Sequence, residues 1–250
     1  TQSWIMPVYQ LRAELSLPRG PNPLFDGQHS SALVLALFSS VLGEPQPDWP
    51  PQTRVTGFCF YDKKDETSIA PELAKFLDSG PPPIVFTLGS SAVFDARNFY
   101  RDSAEAARRL GRRAVLLIGK EENLPPEPLP EAIVAFDYAP YSEILPRTAA
   151  IVHQGGVGTT GQALRAGKPM LVMPFSHDQP DNAARITRLG VGRTLPRYRY
   201  NATRAAAELS KLLNDLSYAT RAAEIGCRVQ AADGPRAACD AIEERLRDSV

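Results

Sequence analysis

Apolar positions along this chain fall into two regimes. Between residues 84 and 173 short runs that are apolar but for Thr87 and His153 recur, at 84–88, 114–118, 132–136, 149–153 and 170–173. Runs of that length, rich in Ile, Val and Leu, read as strands buried on both faces. Amphipathic stretches alternate with them. Residues 70–79 place Leu73, Phe76 and Leu77 on one face, 97–110 and 181–189 repeat the helical spacing, and Gly190 closes the latter. A short helix is predicted around Ile144 and Leu145, and another after residue 156. Three helical stretches end the chain, at 203–214, 218–231 and 235–247, with Pro235 in the first turn of the last. Strands alternating with helices in one chain predict an α/β fold, a Rossmann-like doubly wound parallel sheet with helices on both faces.

The first fifty residues follow another pattern. Apolar residues at 5, 8, 11 and 15 have helical spacing, interrupted by Pro7. Residues 32–38 read as a buried strand, 44–51 as a stiff proline-dense linker, and 54–61 as a short strand. This segment is too sparse to bury a core alone, and reads as the tail of a neighbouring domain.

Composition narrows the function. Lys and Arg number 28 against 28 Asp and Glu, so the formal charge is zero and nothing marks a nucleic-acid partner. Arg108, Arg109, Arg112 and Arg113 read as solvated helix-end residues. The three cysteines, Cys59, Cys227 and Cys239, lack metal-ligand spacing and read as reduced thiols of a cytoplasmic protein. No apolar run approaches the roughly 20 residues of a membrane span. The start, without Met or a signal-peptide pattern, reads as a chain beginning mid-protein.

Four clusters carry candidate chemistry, each just beyond a predicted strand. In an open α/β sheet ligands bind beyond the carboxyl ends of the strands. The most informative is His153, Gln154, Gly155, Gly156, Val157, Gly158, Thr159 and Thr160, between a strand and a helix. A glycine-rich turn into a helix N-terminus offers free backbone N–H groups and suits a phosphate. His153 and the threonines add side-chain donors. Ser90, after the 84–88 strand, either meets a phosphate or sugar or caps a turn. Tyr138 either stacks on a base or is an ordinary half-buried tyrosine. Asp178 and Gln179 either read adjacent sugar hydroxyls or belong to a polar loop before a helix. His177 reads as a loop residue rather than a base.

In this order the four clusters resemble the donor-binding, C-terminal half of UDP-sugar-dependent glycosyltransferases of the GT-B fold, nearest the bacterial and the sterol or lipid glucosyltransferase branches. The likeness rests on residues 153–163, 165–169, Pro174 and 178–180, within a span of roughly 52–250. It implies residues 1–50 as the remnant of an acceptor domain and linker, 51–234 as the donor domain, and 235–250 as a helix crossing back to the first domain. It also implies Tyr138 over the uracil, His153 donating to the diphosphate, and Ser90, Gly155, Gly156, Gly158, Thr159 and Thr160 around it. Asp178 and Gln179 would then read the sugar.

The implied reaction is inverting and needs neither metal nor cofactor. A UDP-sugar, UDP-glucose above others, serves as co-substrate, and the acceptor is a lipophilic hydroxyl compound such as a sterol, lipid or natural product. The general base belongs to the acceptor domain, so this chain alone is expected to bind donor and transfer nothing. Weak membrane-surface association of the full enzyme and self-association of this chain are further expectations. A non-catalytic nucleotide-sugar-binding module completed by another chain is the alternative. Two departures stand out: the plant-type family has a ribose-binding Glu where this chain has Gly161, next to Gln162, and a Gln where it has Tyr141.

Overall fold

The structure, a computed structural model, describes residues 2–26, 28–62 and 69–247. The expected 235–250 segment therefore loses its last three residues from view. Helix α1 (Gln2–Glu14) runs through Pro7 instead of breaking there. Only Ile5 of it is buried, while Trp4, Val8, Leu11 and Leu15 are exposed. The strand expected over 32–38 shrinks to β1 (Val34–Ala36), half-buried, and that over 54–61 to β2 (Thr53–Val55). These two pair in parallel as a separate two-stranded sheet. Beyond them Phe38, Phe58 and Phe60 pack against the main domain's core instead of extending the strands. Leu42 and Phe58 are buried against the main domain's core.

The main domain follows. Helix α2 (Pro71–Asp78) leads to β3 (Ile84–Thr87), a single turn α3 (Gly89–Ala92), α4 (Phe99–Arg109), β4 (Ala114–Leu117) and β5 (Ile133–Phe136). Then come α5 (Tyr141–Ile144), β6 (Ala150–His153), α6 (Val157–Arg165), β7 (Met170–Val172), α7 (Gln179–Leu189) and β8 (Gly192–Thr194). Helices α8 (Ala202–Asn214), α9 (Leu216–Gln230) and α10 (Gly234–Arg247) close the chain. Strand β8 and the turn α3 have no counterpart in the hydrophobic pattern. The triplet of β8 is Gly192, Arg193 and Thr194 and carries no apolar run.

The six strands lie all parallel in the order β5-β4-β3-β6-β7-β8. Alternation splits their side chains into two cores. Ile84, Phe86, Leu88, Val152 and Leu171 face α4 and α8, while Val85, Val115, Ile151, Met170 and Val172 face α2, α6, α7 and α9. Each fully buried Ile, Val or Phe contributes about 1.5–3 kcal/mol, which explains why β3, β4 and β6 are apolar up to Thr87 and His153, the polar residues that end β3 and β6. In α10, Gly234 sits against the backbone of Gly57 and Phe58, and Ala238 is buried. Ile242 and Leu246, on the same stripe, stay exposed.

Candidate functional site

Strand order reverses direction in sequence at β3 and β6, which lie side by side at the sheet's centre. The helix after β3 packs on one face and that after β6 on the other. Their carboxyl ends therefore part and leave a crevice. A cleft of about 780 Å³ occupies that place, lined by the loops after β3, β4 and β5 and by the start of α6. That is within the size range of small-ligand sites. Of the residues expected at the site, Ser90, Tyr138, Gly158 and Thr159 line it. His153, Gly155, Gly156, Thr160, Asp178 and Gln179 are not among the lining residues.

The glycine turn divides its labour. His153, at the end of β6, is fully buried. Its Nδ1 accepts the Gly155 N–H at 3.0 Å, which leaves the proton on Nε2. Nε2 has no partner among the described residues. Burial lowers the imidazole pKa to about 4, so the ring is neutral near pH 7. The Gly155 N–H is thus spent inside the turn rather than offered to a ligand. Gly155 itself has φ +90, and a Cβ there would stand 2.8 Å from Val172 Cγ1. Only glycine fits such a position.

The donors that remain belong to α6. Gly156 is its N-cap, no side chain caps the end, and the first helical bond runs from Thr160 N–H to the Gly156 carbonyl. The amides of the first turn are therefore available to an anion, at the positive end of the helix dipole. Gly158 is exposed at the cleft, and a Cβ there would meet nothing within 4 Å. Thr159 lines the cleft beside it, whereas Thr160 is fully buried with its hydroxyl unpartnered. Gln154 is buried under this turn, its Nε2 packed against Gly89 and Gly156.

Asp178 and Gln179 stand at the start of α7, beyond the end of β7. Gln179 is buried, and its Oε1 accepts the amides of Phe175 and Ser176 at 2.8 and 3.2 Å, so its carbonyl braces the loop. Asp178 is exposed and accepts from Asn182 Nδ2 at 2.8 Å. The same Asn182 amide donates to the Gly155 carbonyl at 2.8 Å, tying the glycine turn to the acid. Nothing in the sequence marked Asn182, because one asparagine in an amphipathic helix has no pattern.

Further side chains shape the cleft. Tyr141 Oη and Thr87 Oγ1 lie 2.8 Å apart and join the end of β3 to α5. Arg165 grips Asp62 with two bonds of 2.7 Å, bonds Gln162 Oε1 at 2.8 Å, and lies 4.2 Å over the Phe60 ring. Asp62 and Gln162 both line the cleft. Phe94 and Tyr138, 70% and 68% exposed, rise on the loops after β3 and β5, on either side of β4.

Gly161 explains one of the departures. A Cβ on it would stand 2.7 Å from Phe58 Cδ1, so the Phe58 ring occupies the room that a longer side chain needs. Gly161→Ala is expected to lower unfolding stability by about 1–3 kcal/mol, read from urea denaturation. An unchanged midpoint would show that Phe58 is free to move away.

Known proteins resemble this chain over most of its length. The family model described as "Erythromycin biosynthesis protein CIII-like, C-terminal domain" matches residues 105–244. The O-mycaminosyltylonolide 6-deoxyallosyltransferase of Streptomyces fradiae is 41% identical over 240 residues, covering 95% of this chain and 56% of that protein. A sterol 3-beta-glucosyltransferase of Leptosphaeria maculans is 30% identical over 220 residues, 84% of this chain but 15% of its own length. The chain thus spans about half, or much less, of the relatives it matches. Among solved structures, the kitacinnamycin glycotransferase superposes with TM-score 0.74 at 24% identity, over 98% of this chain and 66% of that one. The glycosyltransferase VinC, solved in complex with DTDP, gives 0.60 at 25% identity, over 69% and 44%.

Proposed function

This chain belongs to the family of C-terminal domains like that of erythromycin biosynthesis protein CIII, the donor-binding halves of GT-B glycosyltransferases, and from that premise we propose which donor it takes and how. The donor is a nucleoside-diphosphate sugar, and the single observation that carries this is the uncapped start of α6 opening on the switch-point cleft. The diphosphate lies on the amides of residues 156–159, with the Thr159 hydroxyl and Ser90 beside it. The base stacks on Tyr138. Asp178 reads the sugar from the start of α7. His153 sets the turn through its bond to Gly155 and stays neutral, and the amides that open α6 stabilise the leaving diphosphate.

Thymidine diphosphate suits the cleft better than the UDP expected from the sequence. The ribose-binding carboxylate of the plant-type pattern has no room at Gly161, and the neighbouring Gln162 is engaged by Arg165. With no carboxylate at position 161 to accept from a 2′-hydroxyl, a deoxyribose loses no bond there by entering. The Streptomyces fradiae relative is by name a 6-deoxyallosyltransferase and VinC was solved with DTDP, which supports a deoxyhexose on thymidine diphosphate over UDP-glucose. The acceptor is a hydroxyl of a lipophilic natural product. Because that hydroxyl must lose its proton to a base on the acceptor side, the 250-residue chain is expected to bind donor without transferring sugar.

Calorimetric titration compares the two nucleotides. Thymidine diphosphate is expected to bind at least about threefold more tightly than UDP, a difference of roughly 0.7 kcal/mol. Tighter UDP binding would return the reading to a UDP-sugar. Sugar transfer by the chain alone would overturn the separation of donor and base.

A further inference from the structure

Lys120 is a cleft residue that neither the sequence motifs nor the donor reading uses. It follows Gly119 at the end of β4, between the loops that carry Phe94 and Tyr138. Its Nζ lies 3.9 Å from the centroid of the exposed Phe94 ring. Among the described residues no carboxylate forms an ion pair with it, and it is the only cationic side chain among the described residues lining the cleft. The cleft's two acids are Asp62, committed to Arg165, and Asp137.

Among the described residues the charge balance of the site is otherwise poor. Each phosphate of a nucleoside-diphosphate sugar carries a negative charge. The first turn of α6 answers with neutral amides and a dipole worth about half a charge. His153 adds none, since its Nδ1 is an acceptor and its ring is buried. Phosphate drawn out of water against that background needs a mobile cation, and an ammonium held only over an exposed ring is weakly held. Lysine fits this task as a compact charge on a flexible stem.

We propose that Lys120 supplies the counter-charge to the bound diphosphate, with the Phe94 ring positioning its ammonium at the cleft. The proposal rests on the donor-site reading above. It assigns Lys120 to affinity for the charged part of the ligand, and not to the base or the sugar.

Thymidine diphosphate and thymidine are titrated calorimetrically into the 250-residue chain and its Lys120→Met and Lys120→Arg variants, at low and at high salt. Lys120→Met is expected to weaken thymidine diphosphate about tenfold at low salt, as loss of one partly screened charge-assisted contact. It should also flatten the salt dependence and leave thymidine binding unchanged, and Lys120→Arg should keep most of the affinity. Thymidine diphosphate affinity unchanged in Lys120→Met would overturn the proposal, as would equal weakening of both ligands. If the parent chain binds neither thymidine diphosphate nor UDP, the donor reading fails first and this assignment with it. Thermal melting of each variant shows whether it is folded.

Discussion

A Gly158→Leu chain is expected to melt no lower than the parent and to bind thymidine diphosphate at least about a hundredfold more weakly, a loss of roughly 2.7 kcal/mol. Both halves follow from the same place. Gly158 is the second residue of α6, exposed, and a Cβ there meets nothing within 4 Å. Leucine in place of glycine in a helix is worth about 0.5–1 kcal/mol of stability. Yet the position lines the cleft at the turn whose amides would hold the diphosphate, so the new side chain takes the ligand's space. Gly155→Val is the informative contrast. It must strain a backbone at φ +90 and collide with Val172, so it should lose stability and binding together. Thermal melting paired with calorimetry separates the two cases. A Gly158→Leu chain that binds like the parent would place the ligand elsewhere.

Acid should weaken the fold through His153 before the carboxylates titrate. The imidazole is fully buried and its pKa falls from 6.5 to about 4 on folding, by desolvation. Between those values the unfolded chain binds a proton that the folded chain refuses. Stability is therefore complete above pH 6.5 and declines as pH falls towards 4. From pH 7.5 to pH 5.0 the loss attributable to this group is about 2 kcal/mol. Urea denaturation at the two pH values measures it. His153→Gln should be less stable at pH 7.5, because Gly155 loses its acceptor, but should lose much less on acidification. An equal loss in parent and variant would assign the acid sensitivity to other groups.

How much of this was legible beforehand depends on whether a residue's role leaves a periodic or compositional trace. The inner strands β3, β4, β6 and β7 are largely apolar runs because both their faces are buried, so the run pattern located them. Strand β8 lies at an edge and left no such trace. The segment before residue 62 misled in the opposite direction. Phe58 is apolar because it packs against Gly161, not because it is part of a strand. At the site, the crowding of glycines announced the turn, and Gly158, Thr159, Ser90 and Tyr138 fall on the cleft. The sequence could not distinguish a residue that meets ligand from one that shapes the turn. In this structure His153 accepts the Gly155 amide inside the turn, and Gln179 braces the loop before α7. The long-range partners of single residues had no signature. Tyr141 meets Thr87, Arg165 meets Asp62, and Asn182 meets Gly155, each across a separation that only the fold closes.

The central claim is that a nucleoside diphosphate lies on the amides that open α6. Amide NMR during titration of the chain with thymidine diphosphate reads those groups one by one. The account predicts saturable shifts largest at Gly156, Val157, Gly158 and Thr159, with a second set around Tyr138. The Gly155 amide, already bonded to His153, should move less. Saturable shifts centred away from α6 and Tyr138, or no shifts at ligand concentrations that saturate a site of micromolar affinity, would contradict it.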